Sequence, residues 1–484
     1  MNYKLLFNLL GRILCAEGIF MLPAAVVSIY YKEAGSFRSI LISAVVTIIF
    51  GILLMLPRPK TRKNYSAGEG FITVAMAWVI LSLFGALPFY IGGEIPSYID
   101  SVFETISGFT TTGASILPNV EALSQGLLYW RSFTHWLGGM GVLVFILAIN
   151  PLRRGSGQDV YLLRAESPGP TVDKLVPKLH QSAKILYIIY IGMTLIEIVI
   201  LLIGGMPFFD ALTLSFGTAG TGGFALRADS IGSYSLFLQG VITVFMALFG
   251  VNFGIYYLLL QKRFKLAFRN EELRMYIAIM LGASILIAIN TRSMYDNWFL
   301  AFHHSAFQVS SIMTTTGYAT VDFNLWPEFS KVILLLIMIV GACGGSTGGG
   351  IKVSRLLLLM KSLRVELKRF FSPRAVLVAH MDGKPVGEPT LRGVSLFMTS
   401  YLLIMAVSIA LLSLNNYGIE TSVSAVLACL NNIGPGLGFV GPMSSYAVFG
   451  DGTKLLLCAN MLLGRLEILP MLMLFTPSAW RGRQ

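Results

Sequence analysis

Apolar residues gather into long runs near 5–30, 39–56, 71–92, 128–150, 185–204, 236–260, 275–290, 326–342, 394–414 and 454–479. Short polar or glycine-rich intervals separate them. A bilayer core takes about 20 apolar residues per helix, so the pattern predicts about ten transmembrane helices. The first run carries Arg12 and Glu17, lacks a clear small-residue cleavage site and is followed at once by a second run. It reads as a retained helix rather than a signal peptide.

The polar intervals alternate in charge. Arg58, Lys60, Arg62 and Lys63 follow the second run; Arg153, Arg154, Arg164, Lys174 and Lys178 follow the fourth. Lys262, Arg263, Lys265 and Arg269 follow the sixth, the segment from Lys352 to Arg392 follows the eighth, and Arg481 and Arg483 end the chain. Basic loops stay in the cytoplasm, which predicts an even number of spans with both termini cytoplasmic. The opposite loops carry Asp100, Glu104, Asp210, Asp229, Asp322 and Glu328 with few bases.

Composition agrees. Hydrophobic residues make up 55% of the 484 residues and charged residues 12%, and mean hydropathy is +0.73. A soluble chain is about 45–50% apolar and about 25% charged, so a cytosolic enzyme, a disordered protein and a disulfide-stapled secreted domain are excluded. The surplus of 36 Lys and Arg over 24 Asp and Glu points to cytoplasmic loops and anionic lipid, not to nucleic acid. Cys15, Cys343, Cys429 and Cys458 form no CxxC pair, and the adjacent His303 and His304 face different ways on a helix. Neither set signals a metal site.

Four outward intervals are too apolar for plain connectors: DSVFETISGFTTTGAS at 100–115, DALTLSFGTAGTGGFA at 210–225, FHHSAFQVSSIMTTTGYAT at 302–320 and SAVLACLNNIGPGLG at 424–438. Aligned on Gly113, Gly222, Gly317 and Gly434, each reads as a short helix, small residues and a glycine turn, a fourfold repeat. Irregular backbone at membrane depth survives only where it is buried in protein or lines a water-filled cavity. Four such loops around an axis would point carbonyls inward to replace a cation's hydration shell. The short helices would aim their negative C-terminal ends at the same place. This predicts an all-α integral membrane protein with four helix–pore loop–helix repeats in a pseudo-fourfold channel, preceded by an N-terminal helix pair. The expected units are 1–63 for the pair, 64–155, 156–265 and 266–369 for three repeats, 370–390 for a cytoplasmic connector and 391–484 for the fourth repeat.

Two further features lie at membrane depth. GACGGSTGGG at 341–350 interrupts the eighth run. Each glycine costs a helix about 1 kcal/mol relative to Ala, so the segment should unwind and line the cavity. It is no phosphate loop, because Ile351 separates Gly350 from Lys352. Arg465 lies inside the last run, and an intramembrane charge is a functional candidate by default. A snorkelling or Glu-paired structural arginine is the alternative, although Glu467, two residues on, faces elsewhere on a straight helix.

With GFTTTGA at 108–114, GTGGF at 220–224, TTTGYAT at 314–320 and NNIGPGLG at 431–438, the chain resembles the Trk/Ktr/HKT superfamily of potassium transporters. RSFTHWLGGMGV at 131–142, RAESPGP at 164–170, GACGGSTGGGIKVSR at 341–355 and NMLLGRLEI at 460–468 carry the likeness along nearly the whole chain. The extra helix pair makes it most similar to the Trk-type membrane subunit, the TrkH class. The resemblance implies gated potassium uptake across a bacterial or archaeal cytoplasmic membrane, with no enzyme activity and no cofactor bound by this chain. It implies potassium ions bound by Thr111, Thr112, Gly113, Gly220, Thr221, Gly222, Thr315, Thr316, Gly317, Asn432, Ile433 and Gly434. A glycine in all four repeats implies potassium preference, whereas Ser in the first is the mark of relatives that pass sodium. A gate under the filter would comprise Gly344, Gly345, Ser346, Thr347, Gly348, Gly349 and Gly350, with Arg465 in the pathway. The implied partners are a second copy of the chain, giving a homodimer, and a cytoplasmic regulatory ring of nucleotide-binding RCK/KTN-type domains, for which the basic segment 351–392 is the docking candidate.

Competing functions fare worse. A sodium-permeable or poorly selective member of the same superfamily is the alternative within transport. An organic-solute carrier would break helices inside inverted repeats, whereas these repeats share one orientation. No paired catalytic constellation supports an enzyme, and a purely structural subunit needs no glycine filters.

Overall fold

The computed structural model describes residues 3–57, 67–139, 141, 179–372, 374 and 377–476. The boundaries expected near 63 and 155, the basic residues of those two loops, RAESPGP and the terminal arginines lie outside them. In chain order the helices are α1 (Tyr3–Tyr30), α2 (Ala34–Met55), α3 (Ala67–Gly85), α4 (Leu87–Ile91), α5 (Tyr98–Phe109), α6 (Gln125–Gly139), α7 (Leu179–Ile203), α8 (Phe208–Gly220), α9 (Leu236–Phe249) and α10 (Phe253–Leu260). There follow α11 (Phe264–Arg269), α12 (Glu271–Asn290), α13 (Trp298–Met313), α14 (Glu328–Val340), α15 (Val353–Phe371), α16 (Glu388–Ser413), α17 (Ile419–Leu430), α18 (Asp451–Arg465) and α19 (Leu469–Leu474). A two-residue antiparallel hairpin, His380–Met381 with Lys384–Pro385, sits in the connector expected at 370–390. The expected unit boundaries at 265 and 369 fall within α11 and α15.

Among the described residues, six helices are long and apolar enough to cross a membrane, or seven if the bent pair α9–α10 counts as one. The continuous spans expected at 236–260 and 454–479 are broken. The first bends by 92° between α9 and α10, where the Asn252 side chain accepts from Gly254 N–H and starts a new helix. The last run stops at Arg465, and Glu467 and Ile468 take φ of 56° and 66° before α19 begins. The helix of the eighth run ends at Gly341, which has φ of 74°, and opens into the glycine loop where unwinding was expected.

The N-terminal pair packs through small residues. A methyl on Gly11 would lie 2.4 Å from the Gly51 carbonyl, and one on Gly51 would lie 2.7 Å from the Gly11 carbonyl. Helices in lipid lack a hydrophobic drive toward one another, so backbone approach of this kind supplies the packing. The largest apolar core joins α1, α3, α5 and α6 to α17 and α18. Lys454 and Asp100 pair at 2.5 Å, and Tyr446 N–H donates to the Ser115 carbonyl. The last part of the chain therefore closes on the first.

Two basic loops share one side of the molecule. Asn270 Nδ2 and Glu271 N–H donate to the Asp382 carboxylate at 2.9 and 2.8 Å, which ties the turn after α11 to the hairpin after α15.

Candidate functional site

Four short helices, α5, α8, α13 and α17, converge and stop. Each is followed by a residue in the left-handed region: Thr111, Thr221, Thr315 and Asn432, with φ of 55°, 54°, 61° and 55°. The next N–H then reaches back five residues, from Thr112 to Ser107, Gly222 to Gly217, Thr316 to Ser311 and Ile433 to Ala428, each at 2.8 Å. Glycine comes after that, at Gly113, Gly223, Gly317 and Gly434, with φ of 80°, 79°, 87° and 96°.

This corrects the second quarter by one residue. Gly220 is the last residue of α8, and the residues matching Thr111, Thr112 and Gly113 are Thr221, Gly222 and Gly223. Alignment on Gly222 went astray because the GTGG run offers two adjacent glycines, and only the backbone angle distinguishes them.

The four loops form a closed ring. A methyl on Gly113 would lie 2.0 Å from the Gly222 carbonyl oxygen, and one on Gly223 would lie 1.9 Å from that of Thr316. On Gly317 it would lie 2.1 Å from Ile433 O, and on Gly434 2.7 Å from Thr112 O. Each glycine thus makes room for its neighbour's carbonyl in addition to adopting an angle costly for residues with a Cβ. The same glycines floor an open cavity of about 490 Å³, walled also by Arg131, Arg227, Phe439 and Tyr446. The helix C-termini add their negative ends at the ring. A desolvated monovalent cation is the ligand this chemistry fits.

The ring is braced from behind. Tyr446 donates to Gly434 O at 2.6 Å and Tyr318 to Leu214 O at 3.0 Å. His135 uses both ring nitrogens: Phe224 N–H donates to Nε2, so Nδ1 donates to Gly108 O. Asn432 Nδ2 donates to Thr112 Oγ1 and to Met461 O.

Sequence reasoning missed the strongest brace. Glu104, read as an outward loop charge, is 1% exposed and pairs with Arg131, itself 3% exposed, at 2.6 Å. Its carboxylate also accepts from Ser115 Oγ and Ile116 N–H, while Arg131 donates to Ala225 O and covers the Phe224 ring at 3.5 Å. One ion pair so locks the outer limbs of the first two quarters. The available signal was Arg131, a charge inside an otherwise apolar run. Breaking a buried pair leaves a bare charge and costs about 3–5 kcal/mol. Glu104→Gln is expected to lower the melting temperature of the detergent-solubilised protein by several degrees, followed by fluorescence size-exclusion after heating.

Beneath the ring lies the glycine loop. A methyl on Gly348 would meet Thr314 O at 2.7 Å, and one on Gly349 would meet Asn431 O at 2.3 Å. Gly349 N–H donates to Thr315 Oγ1 at 2.6 Å. Gly345 O accepts from Phe253 N–H, Ser346 Oγ donates to Cys343 O, and Lys352 Nζ donates to Gly348 O. Glu272 clamps the base of the loop by accepting from Gly344 N–H and Ser354 N–H. Gly350, with φ of 77°, approaches the Gly341 backbone and closes the loop at its neck.

Arg465 reaches the same place from α18. It donates to Thr111 Oγ1 at 3.2 Å, Thr347 O at 3.0 Å, Gly139 O at 3.0 Å and Gly138 O. It therefore joins the first quarter of the ring, the glycine loop and the end of α6. Glu467 lies beyond the end of the helix, so the straight-helix argument does not apply to it; it pairs with Arg355 at 2.5 Å.

Comparison with known proteins is consistent along the chain. The family model for TrkH, described as a cation transport protein, matches residues 37–287 and 297–481. The Trk system potassium uptake protein TrkH of Salmonella typhimurium is 36% identical over 489 residues, covering 99% of this chain and 100% of the relative. The Trk system potassium uptake protein TrkG of Escherichia coli K12 is 36% identical over 487 residues, covering 99% of each. The crystal structure of the potassium transporter TrkH from Vibrio parahaemolyticus matches with a TM-score of 0.88 at 31% identity, covering 99% of this chain and all of that one.

Proposed function

The chain belongs to the TrkH family of cation transport proteins, and on that premise we propose that it is the ion-translocating subunit of a potassium uptake system. It is a multi-pass membrane protein and not an enzyme. The observation that carries the reading is the closed ring in which each of four glycines faces the carbonyl oxygen of the next quarter. We assign the ion-lining carbonyls to Thr111, Thr112, Gly113, Thr221, Gly222, Gly223, Thr315, Thr316, Gly317, Asn432, Ile433 and Gly434. Such a ring exchanges hydration for carbonyl dipoles without a formal charge, so a monovalent cation is held loosely enough to move on.

The glycine loop and Arg465 form the barrier below. Potassium would descend from the outer cavity, pass the ring and meet the Arg465 guanidinium beside Thr347. The chain works as a homodimer in the cytoplasmic membrane, with both termini inside. The shared side of the basic loops after α10 and α15 supports that orientation. The outer half of α15 exposes Leu363, Leu367, Phe370 and Phe371 among Arg364, Lys368 and Arg369. This mixed surface is the docking site for a cytoplasmic nucleotide-binding ring.

Expression in a bacterial strain lacking potassium uptake tests the function. Growth at low external potassium should be restored, and absence of rescue with confirmed membrane expression would refute it. Reversal potentials under opposed potassium and sodium gradients then read selectivity. Potassium should dominate in the parent and lose at least several-fold in Gly113→Ser, whose Cβ pushes on the Gly222 carbonyl. Equal permeability in the parent would favour a poorly selective cation pathway.

A further inference from the structure

We propose that Arg355 and Glu467 are positioning residues whose ion pair holds Arg465 in the pathway and links it to the cytoplasmic helix α15. The proposal rests on the reading of Arg465 as the barrier.

The geometry makes one mechanical unit of three segments. α15 starts three residues after the glycine loop and is 19 residues long. Arg355 lies in its first turn and is buried. Its guanidinium meets Glu467 at 2.5 Å, donates to Ile351 O at 3.1 Å and covers the Phe397 ring at 4.0 Å. Glu467 belongs to the break that ends α18, only two residues past Arg465. Among the described residues its other carboxylate oxygen is buried without a hydrogen-bond partner, and the contact with Arg355 anchors this side chain.

The break itself is under strain. Glu467 and Ile468 both lie in the left-handed region, which a β-branched residue such as Ile468 rarely enters. Such conformations persist only when their surroundings over-determine them. Here Ile468 is packed with Ile351, Phe397, Tyr401 and Leu430, and Arg355 holds Glu467 from the same side. A shift of α15 pulls on Arg355 and Ile351 together. The strained turn then relaxes, and the end of α18 carries the Arg465 guanidinium away from Thr111 and Thr347. Force on the cytoplasmic helix is thereby converted into movement of one charge under the ring.

The test uses the full-length chain in liposomes, with potassium flux as the readout. Arg355→Gln and Glu467→Gln should each raise flux several-fold, and the double variant no further than either single. Exchanging the charges, Arg355→Glu with Glu467→Arg, should return flux toward the parent. In an Arg465→Ala background, neither single substitution should change flux. Unchanged flux in both singles, or effects that multiply with Arg465→Ala, would overturn the proposal while leaving the barrier reading intact. Unchanged flux in Arg465→Ala alone would overturn both. Where a single variant fails to assemble, as judged by size exclusion, the exchanged pair decides: parental flux supports the link, and raised flux refutes it.

Discussion

Gly223→Ala is expected to abolish potassium uptake. Two penalties fall on the same atom. Gly223 holds φ of 79°, a conformation that costs an L-residue about 1–2 kcal/mol. The added methyl would also lie 1.9 Å from Thr316 O. That obstacle is backbone, held by the hydrogen bond from Thr316 N–H to Ser311, so it cannot swing aside as a side chain would. The substitution must either displace a carbonyl of the ring or unseat the second quarter. Rubidium uptake by cells expressing the variant should fall to the level of cells without the protein, with normal membrane content. Gly222→Ala provides the contrast. Its methyl would meet the His135 ring at 2.3 Å, a side chain, and no positive φ is involved. Adding His135→Ala should restore part of its uptake, whereas no such rescue is expected for Gly223→Ala. Uptake retained by Gly223→Ala but lost in Gly222→Ala would place the filter one residue earlier.

Arg465→Ala should have the opposite sign and raise flux. At roughly 8 Å and an effective dielectric of about 20, two unit charges repel by about 2 kcal/mol, worth about thirtyfold in rate. The guanidinium also pins the glycine loop through Thr347 and the ring through Thr111, so its loss frees the barrier as well as discharging it. Potassium efflux from liposomes containing the purified variant should exceed the parent by at least about tenfold. A rate equal to or below the parent would show that Arg465 serves packing alone. Arg465→Lys keeps the charge but has one nitrogen to share among these acceptors, and it should fall between the two.

How far these expectations were legible in the sequence differs from element to element. The helix pair at the N-terminus, the run that became α7 and the run that became α16 were plain, because lipid demands about 20 apolar residues of any helix crossing it. The approximate positions of the four loops were plain too, since TTTG, GTGG and NNIG recur between runs on one side. The runs at 236–260 and 454–479 misled, because hydropathy registers that a segment is apolar and not that it turns. Asn252 and the pair Glu467–Ile468 break them, and Glu467 and Ile468 are residues that no helix-breaking rule would single out.

The register of the second quarter was not legible. GTGG presents two candidate glycines with identical side chains, and the choice depends on which one faces a carbonyl from another repeat 93 or more residues along the chain. The Glu104–Arg131 pair was hidden for a related reason. Each charge has an ordinary local reading, a loop acid and a helix base, and only folding brings them to 2.6 Å inside the protein.

The sequence by itself determined the solvent this protein lives in and the four places where glycine replaces helix. Those are local consequences of apolar length and backbone freedom. Tertiary structure alone decided which glycine of the second quarter completes the ring, that Arg465 ends beneath that ring rather than inside a continuous helix, and that Glu467 is held by Arg355. Each of those depends on carbonyls and charges contributed by distant segments, and a one-dimensional pattern does not encode which distant group will arrive opposite.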